Sequence, residues 1–217
     1  MESSLGYGPD FATGGCTMHA VPATIDVWWI PVLGVDCASL LPLLHAHERE
    51  TSGRFLREID RRRYVIVHAA VRSILGTYLA AAPTDVPISW TSTGKPVLDG
   101  AACSVHFSMA KRHLFGLLAV SPTPVGVDVE VLTNGAILDS RNALPTLCSE
   151  RQRAREWAAR EAYAKLTGLG ILAVESAPIP ATVRCVDVPA PPGYIATLAT
   201  HDWTATLMLH RWRSMLG

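Results

Sequence analysis

The chain has 217 residues, 49% of them hydrophobic, and its 19 Lys and Arg balance 19 Asp and Glu to a formal charge of zero. That composition supports a sizeable core and excludes wholesale disorder. The neutral balance excludes a protein that coats nucleic acid through a global basic field, so anions must be held by local clusters of charge. Five scattered cysteines (Cys16, Cys37, Cys103, Cys148 and Cys185) without CxxC spacing exclude a disulfide framework or structural zinc, and no apolar run reaches the length of a membrane span.

In chain order, residues 1–20 are rich in glycine and read as a flexible arm. They lack the basic and apolar regions of a secretory leader, so a cytoplasmic location is expected. Residues 27–32 read as a first strand and 40–50 as helical. A long helix is predicted over 58–81, where Val67, Val71, Ile74, Leu75, Tyr78 and Leu79 share one face and Pro83 ends the run. Strands are predicted at 86–91, 104–108, 114–121 and 125–132, with Pro122 and Pro124 as a hinge. A second helix spans 150–167, stopped by Gly168 and Gly170, and three antiparallel strands follow at 181–188, 194–200 and 203–212. The layout is α+β, divided at the hinge into an N-terminal lobe (21–122) and a C-terminal lobe (123–217).

Chemistry concentrates at Gly126-Val127-Asp128-Val129-Glu130. In a strand Asp128 and Glu130 share the face opposite the valines. Two neighbouring carboxylates repel unless a cation lies between them, and hard oxygen ligands suit Mg²⁺; the alternative is the solvated polar face of an edge strand. On the second helix Trp157, Glu161 and Lys165 fall on one stripe. Glu161 offers a third carboxylate and Lys165 a phosphate contact. The alternative is an ordinary surface i, i+4 pair, worth about 0.2–0.5 kcal/mol. Lys95 in the Gly94-Lys95-Pro96 loop, Lys111 beside Arg112, and Arg54 are further phosphate candidates, whereas Arg61–Arg63 suit a solvated helix face.

Taken in order, Gly94-Lys95-Pro96, Phe107-Ser108-Met109-Ala110-Lys111, Gly126–Glu130 and Trp157…Arg160-Glu161-Ala162…Lys165 resemble the 4′-phosphopantetheinyl transferases of the surfactin type, from about Arg54 to the C-terminus. The resemblance implies two similar α+β lobes with pseudo-twofold symmetry, each a small antiparallel sheet packed on a long helix, with coenzyme A between them. It implies transfer of the 4′-phosphopantetheine arm to a serine of an acyl- or peptidyl-carrier protein, with release of 3′,5′-ADP, in polyketide or nonribosomal peptide assembly among other pathways. It implies Mg²⁺, with Mn²⁺ as a substitute, held by Asp128, Glu130 and Glu161, with Glu161 and Lys165 as the catalytic pair. Arg54, Lys95, Pro96, Ser108 and Lys111 are then expected to bind coenzyme A. A monomer, free of nucleic acid and membrane partners, is expected because a two-lobed chain encloses its own site.

The chain departs from that pattern in three places. Ala110 and Lys111 stand where the family shows Ser-His, and Ser108 where it shows Asn. Glu48 and Thr51 occupy positions where cations are expected, and the stretch after Leu132 is short of a full helix. The competing reading is a non-catalytic relative that binds coenzyme A or a carrier protein. A metal-dependent phosphohydrolase has less behind it, since no paired-histidine motif is present.

Overall fold

The computed structural model describes residues 24–100, 104–132, 150–174 and 177–214. The expected N-terminal arm and the segment after Leu132 lie outside those residues. Strand β1 (Thr24–Pro31) is followed by α1 (Cys37–Leu40), a 3₁₀ turn at Leu41–Leu43 and α2 (Ala46–Gly53). The helix expected over 40–50 is thus broken. Asp36 caps α1, Pro42 sits in the turn, and His45 restarts the chain with a capping box to Glu48. Helix α3 (Glu58–Leu79) ends where Ala80 takes a left-handed conformation (φ 51°), a turn earlier than Pro83 requires. There follow β2 (Ile88–Trp90), β3 (Pro96–Leu98), β4 (His106–Arg112), β5 (Phe115–Ser121), β6 (Val125–Val131), α4 (Glu150–Thr167), α5 (Ile171–Val174), β7 (Arg184–Val188), β8 (Tyr194–Thr200) and β9 (Thr206–Arg211).

These elements stack as mixed α and β layers. One sheet runs β4-β5-β1-β9 and another β6-β8-β7, while β2 and β3 form a separate hairpin. Alternation along β5 explains the stacking. Leu118 and Val120 pack with Ile66, Ala70 and Ile74 of α3, whereas Leu117 and Ala119 pack with Val127, Val129 and Leu198 of the second sheet. The first sheet is therefore covered on both faces, which is why its strands read as continuous apolar runs. Helix α4 covers the outer face of the second sheet through Ala158 against Ile195 and Ala162 with Leu166 against Ala199.

One pairing departs from expectation. Strand β9 leaves the C-terminal sheet and lies parallel to β1, from Thr24 opposite Thr206 to Trp29 opposite Arg211. Trp212 then closes against the first core, while Trp203 is exposed. Among the described residues no helix is long and apolar enough to cross a membrane.

Candidate active site

Strand β6 turns Val125, Val127 and Val129 into the core between the sheets. Gly126, Asp128 and Glu130 face the other way, toward α4. Gly126 has no room for a side chain, because a Cβ there would come within 1.9 Å of the Ala162 carbonyl oxygen on α4. The two acids are buried, with 6% of Asp128 and 9% of Glu130 exposed, so they are not the solvated face of an edge strand.

Helix α4 brings its stripe to the same place. Lys165 Nζ donates to Asp128 Oδ1 at 2.6 Å. The second carboxylate oxygen, Oδ2, is buried without a hydrogen-bond partner. Glu161 lines the same cleft one turn before Lys165. Burial pushes all three carboxyls above their ordinary values; Asp128 adds repulsion at Glu130 and Glu161, and Lys165 works in the opposite direction at each. A site that raises three carboxyls together favours a cation among them.

The cleft holds about 520 Å³ and lies between β4, β6, α4 and the β2–β3 hairpin. Across from the acids stand Lys111 and Arg112 of β4. Arg112 Nε pairs with Glu130 Oε2 at 3.1 Å, and Lys111 Nζ lies 3.3 Å from His68 Nε2. Burial pulls the Lys111 amine down to about 8, helped by Arg63 and Lys165, although the residue as a whole is exposed. In the hairpin, Gly94 adopts φ 80°, which only glycine takes freely, and turns Lys95 onto the end of α4. Lys95 Nζ donates to Leu166 O at 3.3 Å and Thr93 Oγ1 to Gly168 O at 2.8 Å. The buried Ser108 hydroxyl accepts from Val127 N at 3.1 Å, joining β4 to the acidic strand.

The structure therefore gathers Lys95, Pro96, Ser108, Lys111, Asp128, Glu130, Glu161 and Lys165 in one cleft. Arg54 is not among its lining residues. It follows the last turn of α2, exposed and paired with Glu50 at 2.5 Å. Sequence reasoning missed His68 and Trp90, which also line the cleft. His68 carried only the signal of a polar residue among the apolar ones of a long helix.

Among the described residues no three His, Cys, Asp or Glu side chains converge tightly enough to form a metal-ready group. The expected three-carboxylate cluster is not assembled, since Lys165 and Arg112 take up Asp128 and Glu130. The donor set nevertheless suits a hard divalent ion, because Asp128 Oδ2 is buried and unpartnered and the neighbouring carboxyls repel one another.

Comparison with known proteins adds an independent line. No family model matches the chain. It is similar to the 4′-phosphopantetheinyl transferase HetI of Nostoc sp., 30% identical over 176 residues, covering 73% of this chain and 74% of that one. It is also similar to the 4′-phosphopantetheinyl transferase psf-1 of Bacillus pumilus, 29% identical over 143 residues and 61% of each chain. A 4′-phosphopantetheinyl transferase of Bacillus subtilis is 24% identical over 143 residues, covering 61% of this chain and 63% of that one.

Proposed function

The chain belongs to the 4′-phosphopantetheinyl transferases, and on that premise we propose that it moves the 4′-phosphopantetheine arm of coenzyme A to a serine of an acyl- or peptidyl-carrier protein, with release of 3′,5′-ADP. The observation that carries this reading is the meeting of Asp128 and Lys165, 37 positions apart, at 2.6 Å in a cleft also lined by Glu130 and Glu161. We place the enzyme in the surfactin-type group and in the cytoplasm. We read its halves (21–122 and 123–217) as related lobes whose last strand returns to the first sheet, so that one monomer encloses the site.

The residues divide the work by charge. The serine oxygen forms a bond to the phosphorus that bears pantetheine, the pyrophosphate P–O bond breaks, and the electron pair leaves with the ADP half. Lys165 neutralises that developing charge, which is where a fixed cation lowers a barrier most. Glu161 takes the hydroxyl proton; burial lifts its carboxyl toward the range useful to a base. Lys95, Pro96, Ser108 and Lys111 orient coenzyme A. Asp128, Glu130 and Glu161 would hold Mg²⁺ or Mn²⁺, which supplies further positive charge beside the pyrophosphate.

The test is the intact mass of an apo-carrier protein incubated with this enzyme, coenzyme A and Mg²⁺, beside an EDTA control. A gain of one phosphopantetheine, lost with EDTA, is expected. No gain across several unrelated carriers, with coenzyme A still bound, would replace transfer by binding alone.

A further inference from the structure

A buried polar chain runs from the core of the first half into the cleft, and the proposed reaction makes no use of it. His68 and Arg72 lie one turn apart on α3 and both face Glu48 of α2. Glu48 and Arg72 are each 1% exposed. Arg72 donates to one Glu48 oxygen through Nε, and through its first terminal nitrogen to Pro83 O at 3.0 Å and Val86 O at 3.1 Å. The His45 backbone N–H adds a bond of 3.0 Å to Glu48 Oε2. With these partners fixed, the other oxygen, Oε1, is aimed at His68 Nδ1, 3.1 Å away.

The chemistry of these groups makes the chain directional. A carboxylate on Nδ1 requires that nitrogen to carry the hydrogen, so Nε2 presents a lone pair. Burial disfavours the imidazolium and, together with the nearby cations Lys111 and Arg72, outweighs the pull of Glu48 toward it. Nε2 faces Lys111 Nζ at 3.3 Å, and an ammonium can only donate. Tyr64 supplies a second support. It stacks on His68 with centroids 3.9 Å apart and holds the Lys111 amine 5.2 Å from its ring centre. Lysine has four flexible carbons, so two fixed contacts at its head remove freedom that binding would otherwise have to remove. One of its three N–H groups is spent on His68, and two remain for the cleft.

We propose that His68 is a positioning residue: fixed by Glu48 and Arg72, it holds the Lys111 ammonium toward a phosphate group of coenzyme A. The proposal rests on the reading of Lys111 as a phosphate contact. It explains two departures of the sequence together. Lysine stands where the family shows histidine, and Glu48 stands where a cation is expected because it anchors the histidine that holds that lysine.

Coenzyme A affinity, measured by calorimetry on folded variants, tests the coupling. His68→Phe keeps the ring and its stacking but loses the lone pair. It should weaken binding about tenfold, as Lys111→Ala does, and have less than a twofold further effect in the Lys111→Ala background. His68→Gln, which keeps a donor and an acceptor, should recover most of the affinity. If Lys111→Ala leaves affinity unchanged, the phosphate contact itself falls, while the carrier-mass assay still judges transfer separately. If His68→Phe weakens binding equally in both backgrounds, the contact stands and the positioning role is overturned. On the unaltered protein, nitrogen NMR should find His68, assigned by its loss in His68→Gln, as the Nδ1–H tautomer. An Nε2–H tautomer would overturn the proposal whatever the affinities of the variants.

Discussion

Lys165 Nζ and Asp128 Oδ1, 2.6 Å apart, join helix α4 to strand β6 at the floor of the cleft. The pair separates two effects that otherwise travel together. Lys165→Ala strands a buried carboxylate, so it should cost about 1–3 kcal/mol of stability, below the figure for a fully buried pair because Lys165 is partly exposed. Glu161→Ala removes a like charge beside Asp128 and should not destabilise the fold. Both variants should lose about 100-fold or more in turnover. Denaturant unfolding beside the carrier-mass assay checks this; a folded Glu161→Ala variant with full activity would remove Glu161 from the site.

Arg112 and Glu130 form the second ion pair, at 3.1 Å. A divalent cation at Glu130 competes with the guanidinium for its charge. Arg112→Ala should therefore tighten Mn²⁺ binding to the free enzyme several-fold, read directly by paramagnetic resonance without substrate. Unchanged or weaker Mn²⁺ binding would show that Glu130 is not a ligand.

Much of this arrangement was legible in the sequence, and the remainder was not for definite reasons. Helix α4 ends where expected, at Thr167, because Gly168 and Gly170 adopt positive φ just past it. The period-2 pattern likewise separates Asp128 and Glu130 from their valines. Pairing between distant segments leaves no local trace, so the parallel return of β9 to β1 could not be seen. The same holds for His68, whose partner Lys111 lies 43 positions away. Arg54 was read as a phosphate contact from its charge beside a glycine and from the resemblance, and its side chain instead meets Glu50 within one helical turn. The burial of both acids also escaped the pattern, since alternation describes faces but not what covers them.

The Glu48 cluster predicts how stability responds to acid. Burial raises the Glu48 carboxyl, but hydrogen bonds from His68 and Arg72 outweigh it and hold the group below its ordinary value. A depressed carboxyl stabilises the fold above the unfolded value, about 4.5, and that contribution disappears as pH falls through the lower folded value. His68 is also depressed, by burial first, so the unfolded chain gains its proton earlier, below about 6.5. Acid therefore weakens the fold in two stages, His68 first. Glu48→Gln should cost about 3–5 kcal/mol at pH 7, with Arg72 left uncompensated, and its deficit against the parent should shrink below about pH 5. Urea unfolding across pH measures this; a constant deficit down to pH 3 would refute it.

Gly126 sets how closely the acidic strand approaches its helix. A Cβ at this position would stand 1.9 Å from Ala162 O and 2.5 Å from Leu166 N. Both are backbone atoms of α4, so no side-chain rotation can relieve the contact, and the helix must move away from β6. Overpacking ordinarily costs about 1–3 kcal/mol. With backbone on both sides, Gly126→Ala should lie at the upper end of that range or above it. The same displacement pulls Glu161 and Lys165 away from Asp128, so turnover should fall about 100-fold or more even under conditions where the variant is fully folded, because a shift of about 1 Å in a catalytic constellation carries a penalty of that order. Coenzyme A contacts on β4 lie across the cleft and should weaken less, giving a larger loss in kcat than in coenzyme A affinity. Equal losses in the two would mean that the helix stays in place and the strand carries the strain.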